Sequence, residues 1–73
     1  MRRLNVGQVV CDVWNEQWPE GTVVILVKDR GERFETKTRS SAWMIGGTPC
    51  VMVEGGGGGY ELARMTPVRP AEM

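Results

Sequence analysis

The chain has 73 residues, two cysteines, no histidine, and nine basic and nine acidic side chains that cancel to a formal net charge of zero. This length allows one domain with a small core. The missing histidine excludes Ser–His and Cys–His catalytic pairs. A balanced charge is atypical of nucleic-acid binders. No stretch reaches the roughly 20 apolar residues that span a bilayer, and the two isolated cysteines lack the spacing of a metal site.

Residues 5–18 show a helical pattern, because apolar side chains recur at i, i+3, i+4, i+7 and i+8. The members of this stripe are Val6, Val9, Val10, Val13 and Trp14. Asn5 followed three residues later by Gln8 is typical of a capping box, and Pro19 ends a helix at or before Trp18. We therefore predict a helix whose valine face packs on a sheet. Because valine is a poor helix former, a strand is the alternative.

The next segments predict a β-hairpin. After a turn at residues 19–22, residues 23–27 form a continuous β-branched run, which predicts a central strand buried on both faces, one of them against the helix. A turn at residues 29–32, with Gly31 supplying a positive φ, leads to an alternating strand at residues 33–39. The side chains that this alternation turns towards water are Arg33, Glu35, Lys37 and Arg39.

The second half of the chain predicts two further strands. Residues 40–49 are predicted to be a loop, and residues 50–53 a third strand. Five consecutive glycines, residues 55–59, predict a flexible connection. Residues 60–68 are predicted to be a fourth strand with a bend near Ala63.

These elements predict an α+β fold, with one N-terminal helix packed on a small antiparallel sheet of about four strands, SH3-like or open-barrel in form. The domain is predicted to span residues 5–68, with tails at residues 1–4 and 69–73. The first residues lack the apolar run of a signal peptide, so we expect a soluble protein in a reducing, cytoplasmic compartment. There, Cys11 and Cys50 are expected to be two buried thiols rather than a disulfide.

Candidate contact residues lie at the end of the second strand and in the loops. A cation, hydroxyl groups and an aromatic ring in one segment can recognise a phosphate, a carboxylate or a base, and tryptophan and arginine are enriched at binding hot spots. The candidates are Trp18, Arg39, Ser40, Ser41, Trp43, Gly57 and Tyr60. The alternative is structural: the hydroxyls end the strand in a turn and the tryptophans close the ends of a small core.

Three functions remain open at this stage. The missing catalytic groups, the zero net charge and the three tryptophans favour a non-enzymatic interaction module that binds a protein or a second copy of itself, with no cofactor, metal or membrane. The second is nucleic-acid binding by a small β-barrel, through a basic stripe interrupted by glutamates. That stripe would consist of Arg33, Lys37, Arg39 and Arg64. The third is a small-molecule site formed at an oligomer interface.

Asn15 and three short motifs are similar to a pattern in small uncharacterised proteins of tailed phages and prophages. The motifs are WPEGTV at residues 18–23, TRSSAWMIGGTP at residues 38–49 and VMVEG at residues 51–55. The resemblance implies a helix followed by a small SH3-like β domain, encoded by a phage or mobile element and acting in a bacterial cytoplasm. It implies no catalytic residue, and the glycine run at residues 55–59 departs from the pattern, as does the lack of a histidine in the loop that precedes Thr48.

Overall fold

The computed structural model describes residues 5–68, so both predicted tails lie outside the described residues. Within this range the predicted α+β class is confirmed, with a helix and two three-stranded antiparallel sheets. No helix in the described range is long and apolar enough to cross a membrane. The elements in chain order are α1 (Val6–Gln17), β1 (Val23–Val27), β2 (Arg33–Lys37), β3 (Trp43–Ile45), β4 (Thr48–Met52), β5 (Gly59–Glu61), a 3₁₀ helix (Leu62–Arg64) and β6 (Met65–Pro67).

The predicted helix is confirmed, and the strand alternative for this segment is wrong. The Gln8 backbone N–H donates to Asn5 Oδ1 at 3.1 Å, which caps the first turn. The Gln8 side chain donates to Asp12 instead of returning to Asn5, so the predicted capping box is half formed. At the other end Trp18 is extended, as the following proline requires, and α1 ends at Gln17.

The prediction that the valines of α1 pack on a sheet is wrong. Cys11 and Trp14 are the buried residues of α1, and Trp18 just beyond it packs against the core. Gly7 lies on the same side, where an added β-carbon would be only 2.5 Å from Met44 Cε. The four valines of the predicted stripe are exposed. The helix lies close to the sheet at Gly7 and Cys11, because glycine and cysteine allow close packing, and Trp14 completes the packed face.

β1 is the centre of the first sheet, which has the strand order β2-β1-β6, as predicted for a central strand. Its inner side chains, Val24 and Leu26, are buried, while the other side of the strand is only half-buried. Helix α1 packs chiefly on β3 and β4 rather than on β1. The prediction that α1 covers β1 is therefore wrong. The prediction that both faces of β1 are fully buried is also wrong.

The segment predicted as a loop at residues 40–49 instead forms most of a second hairpin. β3 pairs with β4 in an antiparallel register that places Ile45 opposite Thr48, so only Gly46 and Gly47 remain in the turn. Gly46 has φ +60°, which glycine adopts without steric cost. This hairpin and β5 make the second sheet, with strand order β3-β4-β5.

The predicted fourth strand is two strands with a break between them. The 3₁₀ helix interrupts the segment at the predicted bend, so that β5 pairs with β4 and β6 pairs with β1. The two sheets also meet at an isolated bridge between Thr38 and Val53. Within residues 5–68 the sheets form no closed barrel, and the predicted count of about four strands becomes six.

Thr38 is the buried hydroxyl at this junction. Its Oγ1 accepts from the backbone N–H groups of Gly21 at 3.1 Å and Thr22 at 3.2 Å. The hydroxyl thus ties the turn before β1 to the end of β2, and it adds to the bonds that the same two N–H groups make to the Thr38 and Pro19 carbonyls.

Candidate functional site

The outer face of the second sheet carries an exposed apolar surface. Cys50 of β4 is paired with Trp43 on β3 and with Glu61 on β5, and side chains of directly paired residues share a face. The next residue along β4, Val51, faces the opposite way into the core, together with its partner Tyr60. The register therefore turns Trp43 away from the core and towards solvent.

Gly59 makes room for two side chains on this outer face. A β-carbon on Gly59 would lie 2.6 Å from Ile45 Cδ1 and 3.6 Å from Trp43 Cη2. Because β4 separates β3 from β5, with neighbouring strands about 4.8 Å apart, both side chains must extend across β4 to reach this point. They fill the space that a side chain at position 59 would occupy, as aromatic groups do beside strand glycines.

We call this surface the Trp43 platform and define it as the outer-face positions Trp43, Ile45, Cys50, Met52 and Gly59. Trp43 is 39% exposed and Ile45 is 44% exposed, whereas Cys50 beneath them is 5% exposed. Met52 shares the face because it follows Cys50 by two residues in the strand. The platform is therefore an apolar area on a hydrogen-bonded sheet, with the Trp43 ring reaching across β4 and the exposed Glu61 at its border on the same face.

Both cysteines are buried and unpaired, as predicted. Burial raises the pKa of the Cys11 thiol, with a further increase from Asp12 and an opposing effect from the Cys50 peptide N–H. Burial also raises the pKa of the Cys50 thiol, with smaller contributions from Glu61 and from Cys11. Both thiols therefore stay protonated at neutral pH, and neither has the lowered pKa of a reactive cysteine.

Alkaline pH is expected to destabilise the fold through these thiols. Their folded-state pKa values lie above the ordinary value of 9.0, so on raising the pH the unfolded chain loses these protons first. The free energy of unfolding is therefore unaffected by them below pH 9 and falls from about pH 9 up to the folded pKa. Denaturant unfolding at pH 8 and at pH 10.5 measures the fall.

The Cys11→Ala/Cys50→Ala double variant is the control for this effect. All other side chains are the same in both proteins, so the difference between the two pH dependences isolates the thiols. An equal fall in the double variant and the parent would contradict the prediction.

Arg39 and Ser40, from the predicted cluster of hydroxyl groups and an arginine, form hydrogen bonds within the chain. Ser40 Oγ accepts from the Met52 backbone N–H at 3.0 Å and donates to the Ser41 carbonyl at 2.9 Å. Arg39 is exposed, but its Nε donates to the Val53 carbonyl at 3.0 Å. The structure therefore gives Arg39 and Ser40 structural contacts in this segment, as the structural alternative expects.

Three other predicted contact residues lie outside the Trp43 platform as it is defined. Tyr60 packs against the core, where its ring lies over Gly56. Trp18 is half-buried, with its ring centroid 6.4 Å from that of Trp14. Gly57 is exposed in the glycine loop. Of the predicted set, Trp43 is the member that lies on the platform.

The predicted basic stripe is interrupted. Arg33 and Lys37 are exposed on β2, but Glu35 lies between them on the same face of that strand. Arg64 is engaged elsewhere, since its Nη1 lies 2.7 Å from Asp29 Oδ1. These positions do not make a continuous positive surface.

Sequence reasoning missed Ile45, Met52 and Gly59 as surface residues. A signal for the first was present, because an apolar run followed by Gly-Gly is typical of a hairpin, and a hairpin would have placed Ile45 on the same face as Trp43. Gly59 carried no comparable signal, since it ends a run of five identical residues.

Comparison of the chain with protein-family models, with curated proteins and with solved structures finds no match.

Proposed function

We propose that this protein is a small non-enzymatic protein-binding module whose docking surface is the Trp43 platform. The observation that carries the proposal is Trp43, which is 39% exposed and lies on the same sheet face as the 44% exposed Ile45. Contiguous exposed apolar surface is typical of interaction sites. Tryptophan is the side chain most enriched at binding hot spots, because it buries a large area with few rotatable bonds.

The platform is preorganised, which favours binding. The backbone beneath it is held in the β3-β4-β5 ladder, and Trp43 and Ile45 are already in van der Waals reach of Gly59. Little conformational entropy is then lost when a partner covers the surface. The partner is a protein of the phage or of its bacterial host, acting in the cytoplasm, and this part of the proposal rests on the resemblance of residues 18–23, 38–49 and 51–55.

Removing the indole is expected to weaken binding at least about tenfold, because truncating a hot-spot residue typically costs more than 1.4 kcal/mol. The tagged parent and its Trp43→Ala and Ile45→Lys variants are used to capture partners from bacterial lysate with and without nuclease treatment, with mass spectrometry as the readout. The affinity of the partner identified in this way is then measured by calorimetry.

Phe34→Ala is the matched control, since Phe34 is an equally exposed aromatic residue, 44% exposed, on the other sheet. This variant is expected to retain the partner, and all variants are first shown to unfold cooperatively. Retention of the partner by both Trp43→Ala and Ile45→Lys would contradict the proposed surface. Captured proteins that are lost after nuclease treatment would support nucleic-acid binding instead.

A further inference from the structure

Helix α1 carries a second exposed apolar surface that the Trp43 platform does not include. Its members are Val6, Val9, Val10 and Val13, which we call the valine stripe. Each is between 40% and 67% exposed. At 100° per residue the stripe lies about a third of a turn around the helix from the face that packs on the sheet. The valine stripe is therefore not part of the core.

These valines are unfavourable in an isolated copy of the chain. Each costs up to about 0.7 kcal/mol in helix propensity relative to alanine, and each leaves between 40% and 67% of its surface exposed to water. The solvent side of a surface helix is ordinarily polar. Burial against a partner would offset both effects.

The border of the stripe is acidic. Asp12 follows Val9 by three residues, and Glu16 follows Val13 by three residues, so each carboxylate neighbours a valine on the helix surface. Gln8 Nε2 donates to Asp12 Oδ1 at 3.0 Å, so this carboxylate has a hydrogen-bond partner on the side away from the valines. The helix Val6–Gln17 contains no lysine or arginine.

We infer that the valine stripe is a docking surface for an amphipathic helix of another protein, with an apolar face flanked by lysine or arginine. The valines are spaced as i, i+3, i+4 and i+7, which matches the spacing of apolar anchors on a docking helix. The acidic border is complementary to basic flanks and selects against acidic ones. Two copies of α1 packed through this stripe would bring acidic borders together without a basic residue from either helix.

The valine stripe is independent of the Trp43 platform. Gly7 lies against Met44, whose side chain faces the opposite way from those of Trp43 and Ile45, so α1 and the platform lie on opposite faces of the second sheet. A partner at one surface leaves the other accessible. The module thus has two separate docking surfaces, and the second adds a partner class to the proposed function.

The probe is a displayed library of 15-residue helical peptides in which the apolar stripe and the flanking charged positions are randomised. Selection on the intact protein is expected to enrich peptides with apolar residues at i, i+3 or i+4, and i+7, flanked by lysine or arginine. Their dissociation constants, measured by fluorescence anisotropy, are expected to rise at least about tenfold on the Val9→Glu/Val13→Glu variant. Glutamate is a better helix former than valine, so this variant is expected to fold.

A charge-reversed protein, Asp12→Lys/Glu16→Lys, provides the second test. It keeps the valines and is expected to prefer peptides with glutamate flanks. Trp43→Ala is expected to bind the selected peptides as the parent does, which separates this inference from the proposed function. Failure to enrich any peptide, or affinities unchanged in both helix variants, overturns the inference. A parent dimer in sedimentation that Val9→Glu/Val13→Glu dissociates overturns it in favour of a second copy.

Discussion

Replacing Val51 with alanine is expected to lower the free energy of unfolding by about 2 kcal/mol. Val51 is fully buried in β4, and its side chain faces the core between the two sheets. The change removes two methyl groups, which contribute about 0.8 kcal/mol per buried carbon in transfer free energy, and it leaves a cavity that the packed sheets fill only in part. In a 73-residue domain such a loss is a large fraction of the total stability.

The same substitution at Val9 is the matched control. Val9 is 40% exposed on α1, and alanine is the better helix former by a few tenths of a kcal/mol. Val9→Ala is therefore expected to be neutral or slightly stabilising. Chemical denaturation of both variants, with equal m values, measures the contrast. A loss at Val9 comparable to that at Val51 would show that the valine stripe is buried in the folded chain.

Replacing Asn15 with alanine is expected to lower the free energy of unfolding by about 2–4 kcal/mol. The Asn15 side chain accepts from the Ala42 backbone N–H at 2.6 Å and donates to the Ala42 carbonyl at 3.0 Å. Ala42 is buried just before β3. Both hydrogen bonds are part-buried, so truncation leaves a donor and an acceptor only partly open to water, each costing about 1–2 kcal/mol.

Asn15→Asp separates the two hydrogen bonds. Aspartate keeps an acceptor for the Ala42 N–H but places a second carboxylate oxygen against the Ala42 carbonyl. The Asn15→Asp variant is therefore expected to be less stable than the parent at pH 7 and to recover part of that stability when the carboxyl group is protonated. Gln8→Ala on the exposed side of α1 is the control and is expected to change the stability by less than about 0.5 kcal/mol. Thermal unfolding at pH 7 and pH 4 gives both comparisons. Equal stability of Asn15→Ala and Gln8→Ala would exclude a structural role for this contact.

For helix α1 the sequence predicted the two ends correctly but the buried face wrongly. The cap at Asn5 and the proline after Trp18 are local signals, and they predicted both helix ends. The buried face was predicted wrongly because α1 has two apolar faces, and the valines form the more regular one. The face that packs contains Gly7 and Cys11, whose small size brings the backbone close to Met44. Valine and cysteine are both residue types that are often buried. Hydropathy therefore does not distinguish the valine face from the face that contains Cys11.

The second sheet depends on pairing that the sequence does not state. The β-branched run of β1 and the glycine turn before β2 are short-range signals, and that hairpin was predicted nearly to its ends. Residues 60–68 read as one strand, although the 3₁₀ helix sends their two halves to different sheets. The side of the sheet that Trp43 occupies follows from its register opposite Cys50, which is a non-local choice.

The amino-acid sequence by itself determined the α+β class, the helix ends and the first hairpin, because each depends on residues within a few positions of one another. Only the tertiary structure decided which helix face is exposed and that Trp43 and Ile45 share an outer surface. Those outcomes depend on strand register and on the space that Gly7 and Gly59 leave for side chains distant in the sequence. Such space exists only after the elements have packed together.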